Sequence, residues 1–156
     1  HDRSQFSCGS ERLDQYLRAQ AGQDARKHVA APFVLCEGEG NTVLGYYTLS
    51  GISVDIGAWP ENVVKKLPRY PLLPATLLGR LAIDRQLQGK GAGEYLLMDA
   101  LHRSLQAAHQ VAALAVIVDA KDAHAVAFYR HYEFTPFEDQ PARLFLPMGV
   151  IEKLFP

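Results

Sequence analysis

Gly89, Gly91 and Gly93 stand at alternate positions between an apolar run, Thr76 to Asp84, and a helical pattern that runs from Gly91 to about His109. Glycine carries no Cβ, so a turn built on it lets a ligand come close to the backbone. The helix that follows offers unpaired N–H groups and the positive end of its dipole. Together these make an anion site, most often for phosphate. The first chemical expectation is therefore a pyrophosphate-containing cofactor on this turn. Basic residues crowd the same stretch. From Lys65 to Lys90 there are six (Lys65, Lys66, Arg69, Arg80, Arg85, Lys90) against one acidic residue, Asp84. A local positive field suits a phosphorylated cofactor and a nucleic acid beside it; the plain alternative is charge that only solvates a surface.

Other chemistry-bearing residues give weaker patterns. His102 and His109 are seven apart, as are His124 and His131, which is not a metal-ligand spacing, so no metal is expected. Cys8 and Cys36 have neither metal nor redox spacing and read as two buried thiols of a cytoplasmic protein. Tyr46 and Tyr47 alternate across a strand, so one is expected to face a cleft and the other the core.

The elements that must position these residues follow from periodicity. Ser10 caps a helix to about Lys27, with Leu13, Tyr16, Leu17 and Ala21 on its apolar face. A strand from Pro32 to Cys36, a turn and a strand from Val43 form a hairpin that continues past Gly51 to Ile56. A short helix from Pro60 to Lys66 precedes Leu67 to Pro74, where three prolines exclude a helix or a central strand. The glycine turn then joins a strand, Thr76 to Asp84, to a helix whose stripe is Leu96, Leu97, Ala100, Leu101 and Leu105. Val111 to Val118 reads as a buried strand, and Asp122 caps a helix to about Tyr132. Phe134 to Glu138 and Arg143 to Met148 close the sheet, and Ile151 to Phe155 is a short amphipathic tail. The order implies an α/β or α+β fold with a mixed sheet covered by helices.

A length of 156 residues, 48% of them hydrophobic, is enough for one folded domain with its own core, 1–156. The chain begins with His1, so a few upstream residues are expected to be missing. No apolar run is long enough to span a bilayer and no signal-peptide pattern is seen at the N-terminus, so the cytoplasm, away from membranes, is the expected location.

Gln88-Gly89-Lys90-Gly91-Ala92-Gly93 resembles the acetyl-CoA motif Q/R-x-x-G-x-G/A of the GNAT acetyltransferases. The strand before it, the helix after it, the next buried strand and a helix bearing Ala127-Phe128-Tyr129 occur in the order of that superfamily. Further blocks carry a narrower likeness. They are Phe6 to Gly9, Leu13 to Leu17, Ala21 to Asp24, Gly45 to Ser50, Leu67 to Pro71, Leu78 to Asp84, Ala120 to Asp122 and Arg143 to Met148. Together they resemble the GNAT toxins of type II toxin–antitoxin systems. That resemblance implies a GNAT fold, acetyl-CoA as cofactor, the α-amino group of aminoacyl-tRNA as acceptor, arrested translation, and a ribbon-helix-helix antitoxin as partner. A homodimer would extend the basic surface across two subunits. One position departs from the pattern: Glu133 stands where relatives commonly carry a glycine after the Phe-Tyr helix, which should make that turn costlier.

The resemblance assigns roles by residue. The amides of Gly89, Lys90, Gly91, Ala92, Gly93 and Glu94 hold the pyrophosphate, and the side chains of Gln88 and Lys90 border it. The backbones of Leu81, Ala82 and Ile83 bind the pantetheine arm as a strand would, and the Ile83 N–H polarises the thioester carbonyl. Phe128 is a cofactor contact. Tyr129 is the expected general acid. Lys65, Lys66, Arg69, Arg80 and Arg85 are candidates for tRNA phosphates, or one or more of the arginines pairs with Asp84 or Asp14. An α-amino group has a pKa of roughly 8, so no essential carboxylate base is expected among Asp84, Glu94 and Glu133. Two other readings stand beside this one: the same chemistry on a small-molecule or protein amine, and a CoA-binding module without turnover.

Overall fold

The computed structural model describes residues 1–156. Six strands form one mixed sheet in the order β1-β2-β3-β4-β6-β5: β1 (Ala31–Cys36), β2 (Val43–Asp55), β3 (Leu72–Ile83), β4 (Ala115–Asp119), β5 (Thr135–Pro136) and β6 (Arg143–Pro147). The helices are α1 (Glu11–Gln15), α2 (Ala21–Arg26), α3 (Glu61–Val64), α4 (Ala92–Ala108), α5 (Ala123–His131) and α6 (Met148–Leu154). The mixed α/β architecture matches the expectation. The chain clusters into two compact units, His1–Ser50 with Leu78–Leu101, and Gly51–Leu77 with His102–Pro156.

In the first unit, β1 and β2 pair antiparallel from Ala31↔Leu49 to Cys36↔Val43. Tyr46 and Tyr47 are both fully buried, so neither faces an open cleft. Adjacent strand residues point to opposite faces. Tyr46 joins Leu13, Tyr16, Leu17, Ala21 and Ala82 in one cluster, and its hydroxyl donates to the Leu13 carbonyl at 2.7 Å. Tyr47 reaches Asp99 of α4 at 2.6 Å and stacks on Phe33. α4 lies so close to this face that a Cβ on Gly45 would come within 2.9 Å of Leu96 Cδ1. The expected α4 stripe is buried throughout.

The first helix is not continuous. Ser10 caps α1, accepting from the Leu13 N–H at 3.4 Å, but Tyr16–Gln20 form a π-helical turn before α2. The 3.6-residue apolar pattern is nearly the same for a widened turn, so spacing alone does not reveal it. α2 ends in a left-handed residue, His28 (φ 58°), with Val29 N–H donating to Asp24 O at 2.9 Å.

In the second unit, β4 and β6 pair antiparallel from Ala115↔Pro147 to Asp119↔Arg143, closed by a two-point ion pair of Arg143 on Asp119 at 2.7 and 2.9 Å. Trp59 packs edge-on against Phe137 and Phe145 at 5.3 and 5.4 Å. β3 begins at Leu72, inside the segment whose prolines argued against a strand. Pro74 lacks a donor but still uses its acceptor: its carbonyl takes the Leu114 N–H at 2.9 Å. β4 starts four residues later than the apolar run, because Val111 is 77% exposed. The C-terminal tail is helical from Met148. Of the two thiols, Cys8 is buried, whereas Cys36 on the edge strand β1 is only half-buried.

Candidate active site

β3 ends at Ile83, and Asp84 opens a short 3-10 turn over Arg85–Leu87. Asp84 is 5% exposed and fully used: one carboxylate oxygen accepts from the Gln86 N–H at 3.0 Å and the other from the Ser7 N–H at 3.1 Å. Arg85 N–H returns a bond to Ser7 O at 2.8 Å. Gln88 is exposed but turns its amide back onto the chain. Its side-chain amide donates to Cys8 O at 2.8 Å and to Ile83 O at 3.0 Å. The start of the glycine turn is thus stapled to the N-terminal segment Ser7-Cys8 and to the end of β3.

Beyond this staple the backbone is open. Gly89 and Gly91 are left-handed (φ 78° and 83°), and a Cβ at either would meet no atom within 4 Å. Lys90 N–H is spent on Leu87 O, and Tyr95 is the first α4 residue to bond back into the turn, on Gly91 O. The N–H groups of Gly89, Gly91, Ala92, Gly93 and Glu94 have no partner in the protein. Five donors at a helix N-terminus, over a turn clear of side-chain atoms, fit a pyrophosphate. Of the expected pyrophosphate neighbours, Gln88 presents its backbone and spends its side-chain donors within the protein; Lys90 and Glu94 are exposed.

The pantetheine candidates separate by register. Asp84 N–H donates to Leu44 O of β2 at 2.8 Å. Backbone groups alternate along a strand, so Ala82 also turns its N–H and C=O toward β2, while Leu81 and Ile83 turn theirs away from it. Ile83 O is taken by Gln88. Leu81 and the Ile83 N–H are therefore better suited than Ala82 to receive an extended ligand.

Tyr129 lies near the C-terminal end of α5, which Asp122 caps by accepting from the Ala125 N–H at 2.8 Å. Its ring is buried against Phe128 (5.2 Å) and Phe134 (5.4 Å), and its hydroxyl makes no hydrogen bond within the protein. Burial pushes the phenol above its ordinary range, so at neutral pH it carries its proton and is no base, although it is a weaker acid than a free phenol. Phe128 is half-buried between Tyr129 and Tyr132. Glu133 takes the left-handed conformation (φ 72°), with Phe134 N–H donating to Tyr129 O and Glu133 N–H to Arg130 O, each near 3 Å. The turn keeps the glycine geometry despite a side chain.

The alternative left open for the arginines, pairing with Asp84 or Asp14, does not form. Asp84 and the buried Asp14 are filled by backbone N–H groups, in the case of Asp14 that of Cys8 at 2.9 Å. Arg69 instead pairs with Glu61 at 3.8 Å, both exposed. Arg80 lies over the Tyr16 ring at 3.5 Å. Lys65, Lys66 and Arg85 are exposed. Ser7, Cys8 and Tyr16 escaped sequence reasoning as positioning residues, because their partners are 64 to 80 positions away and no spacing rule reaches that far.

The model of the acetyltransferase (GNAT) domain matches residues 74–148. The chain is 37% identical to the "tRNA-acetylating toxin" of Mycobacterium tuberculosis, over 94% of this chain and 86% of that protein. It is 30% identical to the "Probable toxin TacT" of Sinorhizobium fredii, over 99% and 89%. The chain belongs to the GNAT acetyltransferase toxins. Solved structures of such toxins superpose on it closely. A mutant of KacT gives a TM-score of 0.93 at 33% identity, covering 99% of this chain and 92% of the other. AtaT complexed with acetyl-methionyl-tRNAfMet gives 0.92 at 34%, covering 100% and 93%. A mutant AtaT toxin with the C-terminus of the antitoxin AtaR and acetyl-CoA gives 0.84 at 32%, covering 99% and 90%. As a GNAT acetyltransferase toxin, the chain has its glycine turn and its Phe-Tyr helix inside the matched domain. The stapling residues Ser7 and Cys8 lie outside it, in the part that the whole-chain relatives share.

Proposed function

We propose that this GNAT toxin moves the acetyl group of acetyl-CoA to the α-amino group of aminoacyl-tRNA and so stops translation. The observation that carries this reading is full-length similarity to AtaT, a protein captured with acetyl-methionyl-tRNAfMet. The relative named as a tRNA-acetylating toxin and the AtaT complex with acetyl-CoA support acceptor and donor respectively.

Acetyl-CoA supplies an acetyl group activated as a thioester. The chain's part is to hold and polarise. The unpaired N–H groups of Gly89, Gly91, Ala92, Gly93 and Glu94 hold the pyrophosphate, with Lys90 adding charge beside them. The backbones of Leu81 and Ile83 hold the pantetheine, and the Ile83 N–H stabilises charge growing on the thioester oxygen. Phe128 contacts the cofactor. Attack by the amine forms the C–N bond and breaks the C–S bond. Tyr129 gives its proton to the departing sulfur, the amine gives its surplus proton to water, and water returns a proton to the Tyr129 oxygen. A free α-amino group has a pKa of roughly 8 and an esterified one is more acidic still, so a reactive neutral fraction is present near pH 7 and no carboxylate has to act as base. Lys65, Lys66, Arg69, Arg80 and Arg85 receive tRNA phosphates. The partner that silences the enzyme is a ribbon-helix-helix antitoxin, a homodimer would extend the basic surface across two subunits, and the place of action, as for other toxins that act on tRNA, is the cytoplasm.

Incubation with labelled acetyl-CoA and bulk charged tRNA tests the proposal. Label is expected in the aminoacyl fraction. Label only in protein or in small amines would move the acceptor elsewhere, and acetyl-CoA binding without any labelled product would mark a module without turnover.

A further inference from the structure

Arg80 is half-buried in the first unit, with its guanidinium carbon 3.5 Å from the centre of the Tyr16 ring. It makes no ion pair and donates no hydrogen bond within the protein. That is unusual company for a guanidinium taken out of water, because a partly desolvated cation without an acceptor is costly. Arg143 and Arg69 both hold carboxylates, and Arg18 donates to Phe6 O at 2.9 Å. The nearby carboxylate, Asp24, feels the charge of Arg80 but makes no direct ion pair with it: its oxygens accept from the Tyr16 hydroxyl and the Gln20 amide, both at 2.8 Å.

The platform under Arg80 is built rather than incidental. Tyr16 stacks on the fully buried Tyr46 at 6.1 Å with 16° between the ring planes. Tyr16 and Gln20 are the first and last residues of the π-helical turn, a feature often found at functional sites, and both point their polar groups at Asp24. Stacking on an aromatic ring fixes the guanidinium plane and leaves its edge N–H groups free, the geometry in which arginine grips phosphate at two points.

We propose that Arg80, seated on Tyr16, is a preset clamp for one phosphodiester near the 3′ end of the acceptor RNA. This rests on aminoacyl-tRNA being the acceptor. Arg80 then differs in kind from the exposed Lys65, Lys66 and Arg85, which contribute a diffuse field.

The test compares two acceptors, charged tRNA and a phosphate-free amino acid ester, in the full chain with acetyl-CoA saturating. Arg80→Lys keeps the charge and loses the planar fork; Tyr16→Leu removes the platform. Both should lower kcat/KM for charged tRNA relative to the ester by about tenfold to a hundredfold, the range expected for losing hydrogen bonds to a charged group. The loss should appear in KM for tRNA. Arg80→Ala should also flatten the salt dependence of RNA binding by about 0.7 in log–log slope. An unchanged ratio between the two acceptors overturns the clamp, because a merely structural Arg80 lowers both alike. A wild-type protein that acetylates the ester but not charged tRNA overturns the clamp together with the acceptor assignment. Wild-type tRNA acetylation with an unchanged ratio in the variants overturns the clamp alone.

Discussion

Gln88 reaches back from the glycine turn to the carbonyl oxygen of Cys8, 80 positions earlier in the chain, at 2.8 Å. The same amide nitrogen holds Ile83 O at 3.0 Å, so one side chain ties the end of β3, the N-terminal segment and the glycine turn together. Its task is to set the turn, and the turn's own amides are left for the ligand. Gln88→Ala should therefore raise KM for acetyl-CoA by about tenfold, the equivalent of one net hydrogen bond's worth of positioning. KM for the acceptor should stay within about twofold. Steady-state kinetics in each substrate checks this.

Asp84 is the second half of the staple, and its burial makes it a structural carboxylate. Asp84→Ala leaves the Ser7 and Gln86 N–H groups without their acceptor, which should cost about 1–3 kcal/mol. For a chain of this size that is a fall in Tm of about 3–10 °C. The folded fraction should keep kcat within a few-fold, as should Glu94→Gln and Glu133→Gln. Calorimetry with kcat at low temperature separates the two effects. A collapse of kcat in a folded variant of any of the three would reveal a carboxylate base.

Glu133 is strained for a reason visible in its φ of 72°. Left-handed backbone costs a residue with a Cβ roughly 1–2 kcal/mol, partly offset because glycine loses more freedom on folding. Glu133→Gly should stabilise the protein by about 0.5–1 kcal/mol, and kcat should not change. Thermal unfolding measures the gain; a lower Tm would mean that the Glu133 side chain makes a contribution larger than its strain.

Alkaline pH should weaken the fold. Burial raises the phenol of Tyr16 to about 12, helped by its bond to Asp24, and burial likewise raises those of Tyr46 and Tyr129. A raised pKa means that the folded chain keeps protons which the unfolded chain loses near pH 10. The stability linked to these groups is fully present below about pH 10 and is lost as pH rises through the folded values. Chemical denaturation at several pH values from 8 to 12 should show the decline starting at about 10. Ultraviolet titration should show Tyr16, Tyr46 and Tyr129 ionising late, together with unfolding.

What could be read in the sequence divides along physical lines. The glycine turn was legible because its chemistry is local: alternate glycines, a strand before and a helix after. The α4 stripe from Leu96 to Leu105 was legible because helical period and burial coincide. The left-handed turn at Glu133 was legible as a departure from a family pattern. The π turn at Tyr16–Gln20 was not, since a widened helix keeps nearly the same apolar spacing. Pro74 misled because a proline forbids one donor, whereas β3 needed only its carbonyl. Val111 misled because apolar character does not bury a residue by itself. The staple and the Arg80–Tyr16 stack join residues far apart in the chain. Only the folded chain reveals such pairs.

The most direct measurement takes charged tRNA treated with the enzyme and acetyl-CoA, releases the amino acid by mild base and finds where it is acetylated. The account predicts an acetyl group on the α-nitrogen with the wild-type protein. With Tyr129→Phe it predicts a loss of about a hundredfold or more in rate, while acetyl-CoA still binds and Tm stays near the wild-type value. Unmodified amino acid after wild-type treatment, acetylation only of side-chain amines, or full activity in Tyr129→Phe would contradict it.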